Sequence, residues 1–256
     1  MKPGLAKWLN ERGRKCDRQG KVDRAIYYYK LATETAPNWS VPWYNLGLLT
    51  KYQGKWEESL HFNQRAVELD PQNEAGWWNL GIAATALSDW REARRAWKSY
   101  GIRGMEGEGE VRIGPLDACV RLDPNGAGEV VWGDRIDPAR FVILNVPLPN
   151  SGRRFRDVVL HDGAQNGTRM RRDREIPVFD ELGLWHKSEY STFELELHIG
   201  DQAAEDDLVR TARENKFGIE NWSSVRLICR ECSVGNPGAH DHKPEPPPDG
   251  SRRFAR

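Results

Sequence analysis

Two short stretches decide the fold of this chain: WYNLG at residues 43–47 and WWNLG at residues 77–81. A shift of 34 in residue number superimposes them, and small residues and prolines elsewhere in the first part of the chain follow the same shift. The aligned positions are Gly13, Gly47 and Gly81; Val22, Trp56 and Trp90; Ala25, Ser59 and Ala93; Ala32, Ala66 and Tyr100; and Pro37 and Pro71. A fixed period of this length predicts repeated supersecondary units that stack on one another.

The pattern resembles the tetratricopeptide repeat (TPR) family, whose signature is a Trp, Leu-Gly, Tyr, Ala, Phe, Ala and Pro series in a repeat of about 34 residues. The resemblance covers residues 5–101 and implies three helical hairpins, since one hairpin cannot bury its apolar face alone. The first repeat departs from the pattern, because Arg12 and Cys16 stand where Leu and Tyr are usual. The third repeat lacks its proline and a polar capping helix, so we expect the region after residue 104 to cover its end.

In this family the first helix of each repeat lines a concave groove, with its fifth, ninth and thirteenth positions pointing inward. The resemblance places at these positions Asn10, Arg14 and Arg18; Tyr44, Leu48 and Tyr52; and Trp78, Ile82 and Ala86. The predicted groove is basic at its amino-terminal end and aromatic or aliphatic in the middle. Our candidate partner-binding residues are Tyr44, Leu48, Tyr52, Trp78, Ile82, Arg14 and Arg18.

Two occupants of the groove remain open at this point. An apolar groove suits an amphipathic helix or a peptide with bulky anchors. The carboxyl-terminal region of this chain could equally pack there, because a contiguous apolar patch must be covered by something. A clamp for acidic chaperone tails is rejected: Lys7 and Asn45 fit the second and sixth positions of such clamps, whereas Glu11 and Ala75 do not.

The glycine-rich stretch GIRGMEGEGE at residues 101–110 marks the main boundary. We expect a TPR domain at 1–104, a β-rich α+β domain at 105–235, and a His- and Pro-rich tail at 236–256. In the second domain the apolar periodicity changes from helical to alternating.

Turn residues in DPNGAG predict a hairpin between the strands at 116–122 and 129–136. The other segments are expected to be strands at 139–148, 154–163, 191–199 and 223–232, a short strand or an irregular turn at 175–185, and a helix at 201–215. Asp162-Gly163 is expected to close its strand with a turn. Strand, helix and strand at 191–232 predict a ferredoxin-like β-α-β unit, so the fold class is α+β.

A candidate metal site spans the end of the second domain and the start of the tail. Cys229 and Cys232 have the spacing of a thiolate chelate, and His240 and His242 follow on a segment that Gly and Pro make easy to reverse. Together they would form a closed Cys₂His₂ set of the structural zinc type. A loose His-rich tail after a strand end is the alternative.

No catalytic or phosphate-binding motif is present in the sequence, so we expect a non-enzymatic adaptor. An enzyme with a site between the strands at 141–160 and 191–199 is one alternative. A nucleic-acid binder is another, and would use Arg169, Arg171, Arg172 and Arg174 in the 169–174 loop with Arg153, Arg154 and Arg156. That second alternative is disfavoured, because 38 basic and 38 acidic residues cancel and leave no field that attracts nucleic acid.

The same balance of charge and the lack of an apolar run of about 20 residues disfavour a membrane partner. The start of the sequence lacks the apolar core of a signal peptide, so we expect a cytoplasmic protein.

Overall fold

The computed structural model describes residues 3–126, 128–222 and 252–255, and the backbone alone for the last four. The chain divides into two units, Met1–Ile113 and Gly114–Arg256. The boundary therefore follows Ile113 and not residue 104, and the glycine-rich stretch belongs to the first unit.

The first unit contains six helices joined in pairs by short turns. They are α1 (Pro3–Arg18), α2 (Val22–Thr35), α3 (Ser40–Tyr52), α4 (Trp56–Leu69), α5 (Glu74–Ala86) and α6 (Trp90–Tyr100). The members of each hairpin pack together, α3 packs on α2, and α5 packs on α4. This arrangement confirms the TPR architecture predicted for residues 5–101.

The glycines of the repeat mark where the two helices of a hairpin approach most closely. A Cβ added to Gly81 would lie 2.7 Å from ring atoms of Trp97 on the second helix of the same hairpin. The same spacing brings Gly13 against Tyr29, where the corresponding distance is 2.5 Å. Only a residue without a Cβ fits at these positions, which explains why glycine recurs with the period of the repeat.

Tryptophan and proline fix the junctions between repeats. The indole nitrogen of Trp43 donates a hydrogen bond to the carbonyl of Pro37 at 3.0 Å. Trp77 makes the same bond to Pro71 at 2.9 Å. Both prolines follow the last helix of a repeat, where proline stops helical hydrogen bonding.

After α6 the chain folds back along that helix. The guanidinium of Arg94 donates to three backbone carbonyls, those of Glu106 at 2.7 Å, Gly109 at 2.8 Å and Glu110 at 2.9 Å. Met105 and Val111, on either side of the anchored carbonyls, are buried. We call residues 105–111 the strap.

The second unit begins with five strands that form a closed barrel. They are β1 (Leu116–Arg121), β2 (Val130–Arg135), β3 (Arg140–Ile143), β4 (Val158–Arg171) and β5 (Arg174–His186). Consecutive strands pair antiparallel, and a short 3₁₀ helix, Pro149–Ser151, precedes β4. Because the number of strands is odd, the closing pair β1–β5 must be parallel, as observed.

The barrel core is apolar and drawn from all five strands. It comprises Ala118, Val120, Leu122, Val131, Phe141, Ile143, Val159 and Phe179. The predicted hairpin between 116–122 and 129–136 is confirmed as β1 and β2. The predicted turn at Asp162-Gly163 is wrong, because β4 continues through it to Arg171. The pairing of β4 with β5 shifts register between His161 and Gln165, so this stretch forms a bulge within the strand.

A smaller sheet follows the barrel, with three strands among the described residues. It is formed by β6 (Glu194–Leu197), β7 (Glu220–Asn221) and β8 (Arg252–Ala255), with α7 (Gln202–Glu214) between β6 and β7. Both β6 and β7 pair antiparallel with β8, so they run parallel on its two sides in a split β-α-β arrangement. The Asp201 side chain caps α7 as predicted, by accepting from the Ala204 backbone nitrogen.

These elements confirm the α+β class. In the described part of the chain the strand after α7 lies at 220–221. The strand predicted at 223–232 lies outside the described residues.

Candidate functional site

The first helices of neighbouring repeats are linked directly by polar side chains. The Asn45 amide donates to the Asn10 carbonyl oxygen at 2.9 Å, which joins α3 to α1. The Lys51 ammonium donates to the Asn79 carbonyl oxygen at 3.0 Å, which joins α3 to α5. Lys51 is only 2% exposed, so this bond offsets part of the cost of burying its charge. These links hold α1, α3 and α5 side by side as one surface.

Three of the predicted groove residues lie on one face of α3. Tyr44, Leu48 and Tyr52 recur at every fourth position, so their side chains follow a single stripe along the helix. Tyr52 is 57% exposed, and Tyr44 and Leu48 are half-buried. The Lys51 ammonium lies 4.3 Å from the centroid of the Tyr52 ring, which orients that ring at the surface.

The two basic candidates lie on α1 and are exposed. Arg14 donates to the Glu11 carboxylate at 3.0 Å, a pair in which both side chains are more than half exposed. Such a pair contributes little to stability, so Arg14 can exchange Glu11 for an acidic group on a partner. Arg18, one turn later, extends the same basic end of the surface.

The candidates on α5 differ from each other. Trp78 is half-buried and packs edge-to-face with Trp97 and Tyr100, at centroid separations of 5.0 and 4.7 Å. Ile82 is fully buried and cannot contact a partner in this conformation. This corrects the predicted contact set by removing Ile82 from it, and the exposed ring of the middle repeat, Tyr52, becomes its most accessible aromatic member.

Sequence reasoning missed the bonds between the first helices. The signal was the Asn that both WYNLG and WWNLG share, at Asn45 and Asn79. Each Asn bonds the preceding first helix, through Asn10 or Lys51. Asn45 and Asn79 therefore serve contacts between helices within the repeat unit.

The second unit buries several polar and charged side chains. Asp137 and Arg140 form a fully buried ion pair at 2.5 Å, and the Asp137 carboxylate also accepts from two backbone nitrogens. His161 is fully buried, its ring centroid lies 4.9 Å from that of Phe179, and neither ring nitrogen has a hydrogen-bond partner among the described residues. Burial and the charge of Arg135 lower the pKa of His161 well below its ordinary value, so the ring is neutral. A fully buried His161 is not placed to meet a substrate.

Two carboxyl groups of the second unit, those of Glu129 and Glu220, have pKa values raised by burial. Glu129 accepts from the Leu148 backbone nitrogen, at 3.1 Å to each carboxylate oxygen. Burial raises the pKa of Glu129 to about 7 against the opposing effect of this bond, and Glu220 adds to the rise. Burial also raises the pKa of Glu220, whose carboxylate accepts from Asn145 at 2.6 Å and lies near Arg213.

The arginines of the predicted nucleic-acid loop lie on the β4–β5 hairpin, and several have protein partners. Arg171 pairs with Asp117 at 3.1 Å, and Arg169 donates to the carbonyl of Thr168. Of the more distant arginines, Arg153 pairs with Glu181 at 2.6 Å and Arg154 donates to the carbonyl of Tyr190. The two ion pairs, of Arg171 and of Arg153, reduce the net charge that a basic face could present.

The predicted zinc ligands, Cys229, Cys232, His240 and His242, all lie outside the described residues. Within the described part of the chain, no group of three or more His, Cys, Asp or Glu side chains could hold a metal ion. Zinc therefore stays a prediction. The described helices also include none long and apolar enough to cross a membrane.

No protein-family model and no curated protein matches this chain. Among solved structures the chain is similar to the first TPR domain of Spaghetti (RPAP3), determined with the HSP90 peptide SRMEEVD bound. The identity is 25%, the match covers 39% of this chain and 79% of that chain, and the TM-score is 0.37.

The chain is also similar to two further solved structures. For yeast Tom70 the identity is 24%, the match covers 41% of this chain and 21% of that chain, and the TM-score is 0.37. For the TPR domain of Arabidopsis OM64 the identity is 14%, the match covers 38% of this chain and 81% of that chain, and the TM-score is 0.36. Each match spans about two fifths of this chain.

Proposed function

We propose that this protein is a non-enzymatic adaptor that binds a protein partner on the surface formed by α1, α3 and α5. The observation that carries the proposal is the stripe of Tyr44, Leu48 and Tyr52 on α3, with Tyr52 57% exposed. Large aromatic side chains at a surface supply most of the binding energy when a partner covers them.

The chemistry of this surface defines the partner. The residues of the stripe lie at every fourth position along α3. This spacing matches that of the side chains of an amphipathic helix or of a peptide with bulky anchors. Arg14 and Arg18 on α1 favour acidic residues at one end of that partner. A tail recognised only by its charge is not expected, because Asn45 is already bonded to Asn10.

The two other candidate functions have weaker support. An enzyme would need a catalytic side chain that a substrate can reach. Among the described histidines the pKa of His161 is shifted well below its ordinary value, but His161 is fully buried. A nucleic-acid binder would need a basic face, whereas Arg153 and Arg171 are paired with carboxylates. The expected cytoplasmic location and the lack of a nucleic-acid partner remain predictions.

The zinc site is a separate part of the proposal. Cys229, Cys232, His240 and His242 would hold one structural zinc ion through two thiolates and two imidazoles. Metal analysis of the purified chain should find about one zinc per chain, and Cys232→Ser should abolish it. A chain purified without added chelator that holds no zinc would contradict this part alone.

The adaptor function is tested by affinity capture from a lysate with matched variants. Tyr52→Ala and Arg18→Glu should each deplete the same captured protein, since one removes an aromatic anchor and the other reverses a charge. Tyr27→Ala is the control, because Tyr27 lies on the second helix of its repeat and is 59% exposed, close to the 57% of Tyr52. Equal depletion by Tyr27→Ala would contradict a groove site.

A further inference from the structure

The outer face of the first repeat has counterparts inside the solenoid. Adding 34 to Trp8, Arg12 and Tyr28 gives Pro42, Leu46 and Phe62, and adding 34 again gives Gly76, Leu80 and Ala96. All six of these later residues are buried. Leu46 and Phe62 share a core cluster with Ala25 and Tyr29 of α2, the second helix of the preceding repeat.

The third repeat uses the same positions in the same way. Leu80 and Ala96 share a cluster with Val67 of α4, again the second helix of the preceding repeat. A Cβ on Gly76 would lie 2.9 Å from a Val67 methyl, so this position directly faces α4. Twice in this chain, therefore, the face defined by these positions receives an amphipathic helix.

In the first repeat the residues on this face are at least partly exposed and form one cluster. Trp8 is 54% exposed, and the guanidinium of Arg12 lies 5.5 Å from its ring centroid and 5.9 Å from that of Tyr28. Leu5, one turn before Trp8, is 45% exposed and extends the apolar stripe. We call Leu5, Trp8, Arg12, Arg24 and Tyr28 the terminal face.

The internal interfaces also match polar side chains across the junction. The second and third repeats each present a glutamate on their second helix, Glu58 on α4 and Glu92 on α6. Glu58 lies 3.9 Å from the Lys30 ammonium of α2, and Glu92 accepts from Gln64 of α4 at 3.0 Å. The equivalent residue of the first repeat is Arg24, which is exposed. A helix received here must therefore present an acid where α2 presents Lys30.

We infer that the terminal face is a second docking site, which receives an acidic amphipathic helix of another protein on the face that receives α2 and α4 in the later repeats. Apolar residues of that helix cover Trp8 and Tyr28. Its carboxylates pair with Arg12 and Arg24. The site lies on helix faces other than the Tyr44–Tyr52 stripe and is independent of the proposed groove, so the protein can bridge two partners.

The chain itself supplies the probe. A peptide of residues 56–69 carries the stripe of α4, Leu60, Gln64 and Val67, which faces the third repeat. A staple on the opposite side of the peptide keeps it helical, since so short a helix is marginal in isolation. The test peptide carries Gln64→Glu, to match Arg24, and the control peptide carries Gln64→Lys.

Fluorescence anisotropy with the full chain measures the binding. We expect saturable binding of the Gln64→Glu peptide, weakened about tenfold or more by Trp8→Ala. In the Arg24→Glu protein the preference between the two peptides should reverse, by about three- to fivefold in each direction. Tyr52→Ala should leave the affinity unchanged, which separates this site from the groove. Circular dichroism checks that each exposed substitution leaves the helices intact.

Three results would overturn the inference. One is a preference for the Gln64→Glu peptide that Arg24→Glu does not alter. Another is dimerisation of the chain in sedimentation that Trp8→Ala abolishes, since the occupant would then be a second copy. The third is binding of vesicles of phosphatidylserine and phosphatidylcholine, but of neither peptide, through Trp8 and Arg12.

Discussion

The two units of this protein pair their buried charges differently. In the repeat unit equivalent contacts recur from one repeat to the next around small buried residues such as Ala25, Ala66 and Ala93, and the buried Lys51 ammonium bonds the neutral amide of Asn79. The second unit instead buries a complete ion pair, Asp137–Arg140, in which both side chains are fully buried. The repeat unit therefore depends on close packing at short sequence separation, whereas the second unit also depends on a buried ion pair that is costly to break.

The largest effect should come from breaking the buried pair of the barrel. Asp137→Ala leaves the Arg140 guanidinium buried without its carboxylate and should destabilise the second unit by about 3–5 kcal/mol. Hydrogen exchange by mass spectrometry should show lost protection in β1 to β5 and unchanged protection in α1 to α6. Asp117→Ala is the control, because its pair with Arg171 is exposed and should contribute less than about 1 kcal/mol. Equal effects of the two substitutions would contradict this contrast.

The repeat unit should be most sensitive to added volume at its glycines. Gly81→Ala places a methyl group 2.7 Å from the fully buried Trp97 ring and should cost about 1–3 kcal/mol. Exchange should then increase in α5 and α6 but not in the barrel. Gly4→Ala is the matched substitution, since nothing lies within 4 Å of its added Cβ, and it should be neutral or slightly stabilising.

These two substitutions also show what the sequence could predict. The repeat unit was predictable because Gly81 and Trp97 are close in sequence and their pattern recurs at Gly13 and Tyr29. The barrel was not, because closure depends on β1 meeting β5 at the far end of the barrel sequence, and no local pattern reports that pairing. Asp162-Gly163 was misread for the same reason, since neighbouring strands override a local turn signal.

In the candidate site, too, local spacing was predictable from the sequence and tertiary packing was not. The stripe of Tyr44, Leu48 and Tyr52 was predictable from helical spacing and the resemblance. The burial of Ile82 was not, because it depends on tertiary packing and not on position within the helix.

A smaller effect is expected at the strap. Arg94→Ala removes three hydrogen bonds to the carbonyls of 106, 109 and 110 and should destabilise the strap by about 1–2 kcal/mol. Exchange should rise at residues 105–111, while α1 to α4 keep their protection. Arg91→Ala, an exposed substitution one turn earlier on the same helix, should leave the strap unchanged. Lost protection throughout the repeat unit would instead show that the strap is essential to the whole solenoid.

The smallest expected effect is the pH dependence of the stability of the second unit. Burial raises the pKa of Glu129 to about 7 in the folded chain from an ordinary value of 4.5, so folding favours the protonated carboxyl. The second unit should therefore lose stability as pH rises from about 4.5 to 7, and should level off above that. Denaturation across this range should show a weaker pH dependence for Glu129→Gln. Some dependence should remain, because burial also raises the pKa of Glu220. A stability that rises with pH in both proteins would contradict this assignment.

The adaptor function is tested most directly by photo-crosslinking in cells at Tyr52 and Tyr27. These two tyrosines have nearly equal exposure, 57% and 59%, but lie on the first and second helices of their repeats. A benzophenone amino acid at position 52 should give one dominant crosslinked protein, and the same group at position 27 should not capture it. Identical adducts from both positions, or none from position 52, would contradict partner binding on the surface of α1, α3 and α5.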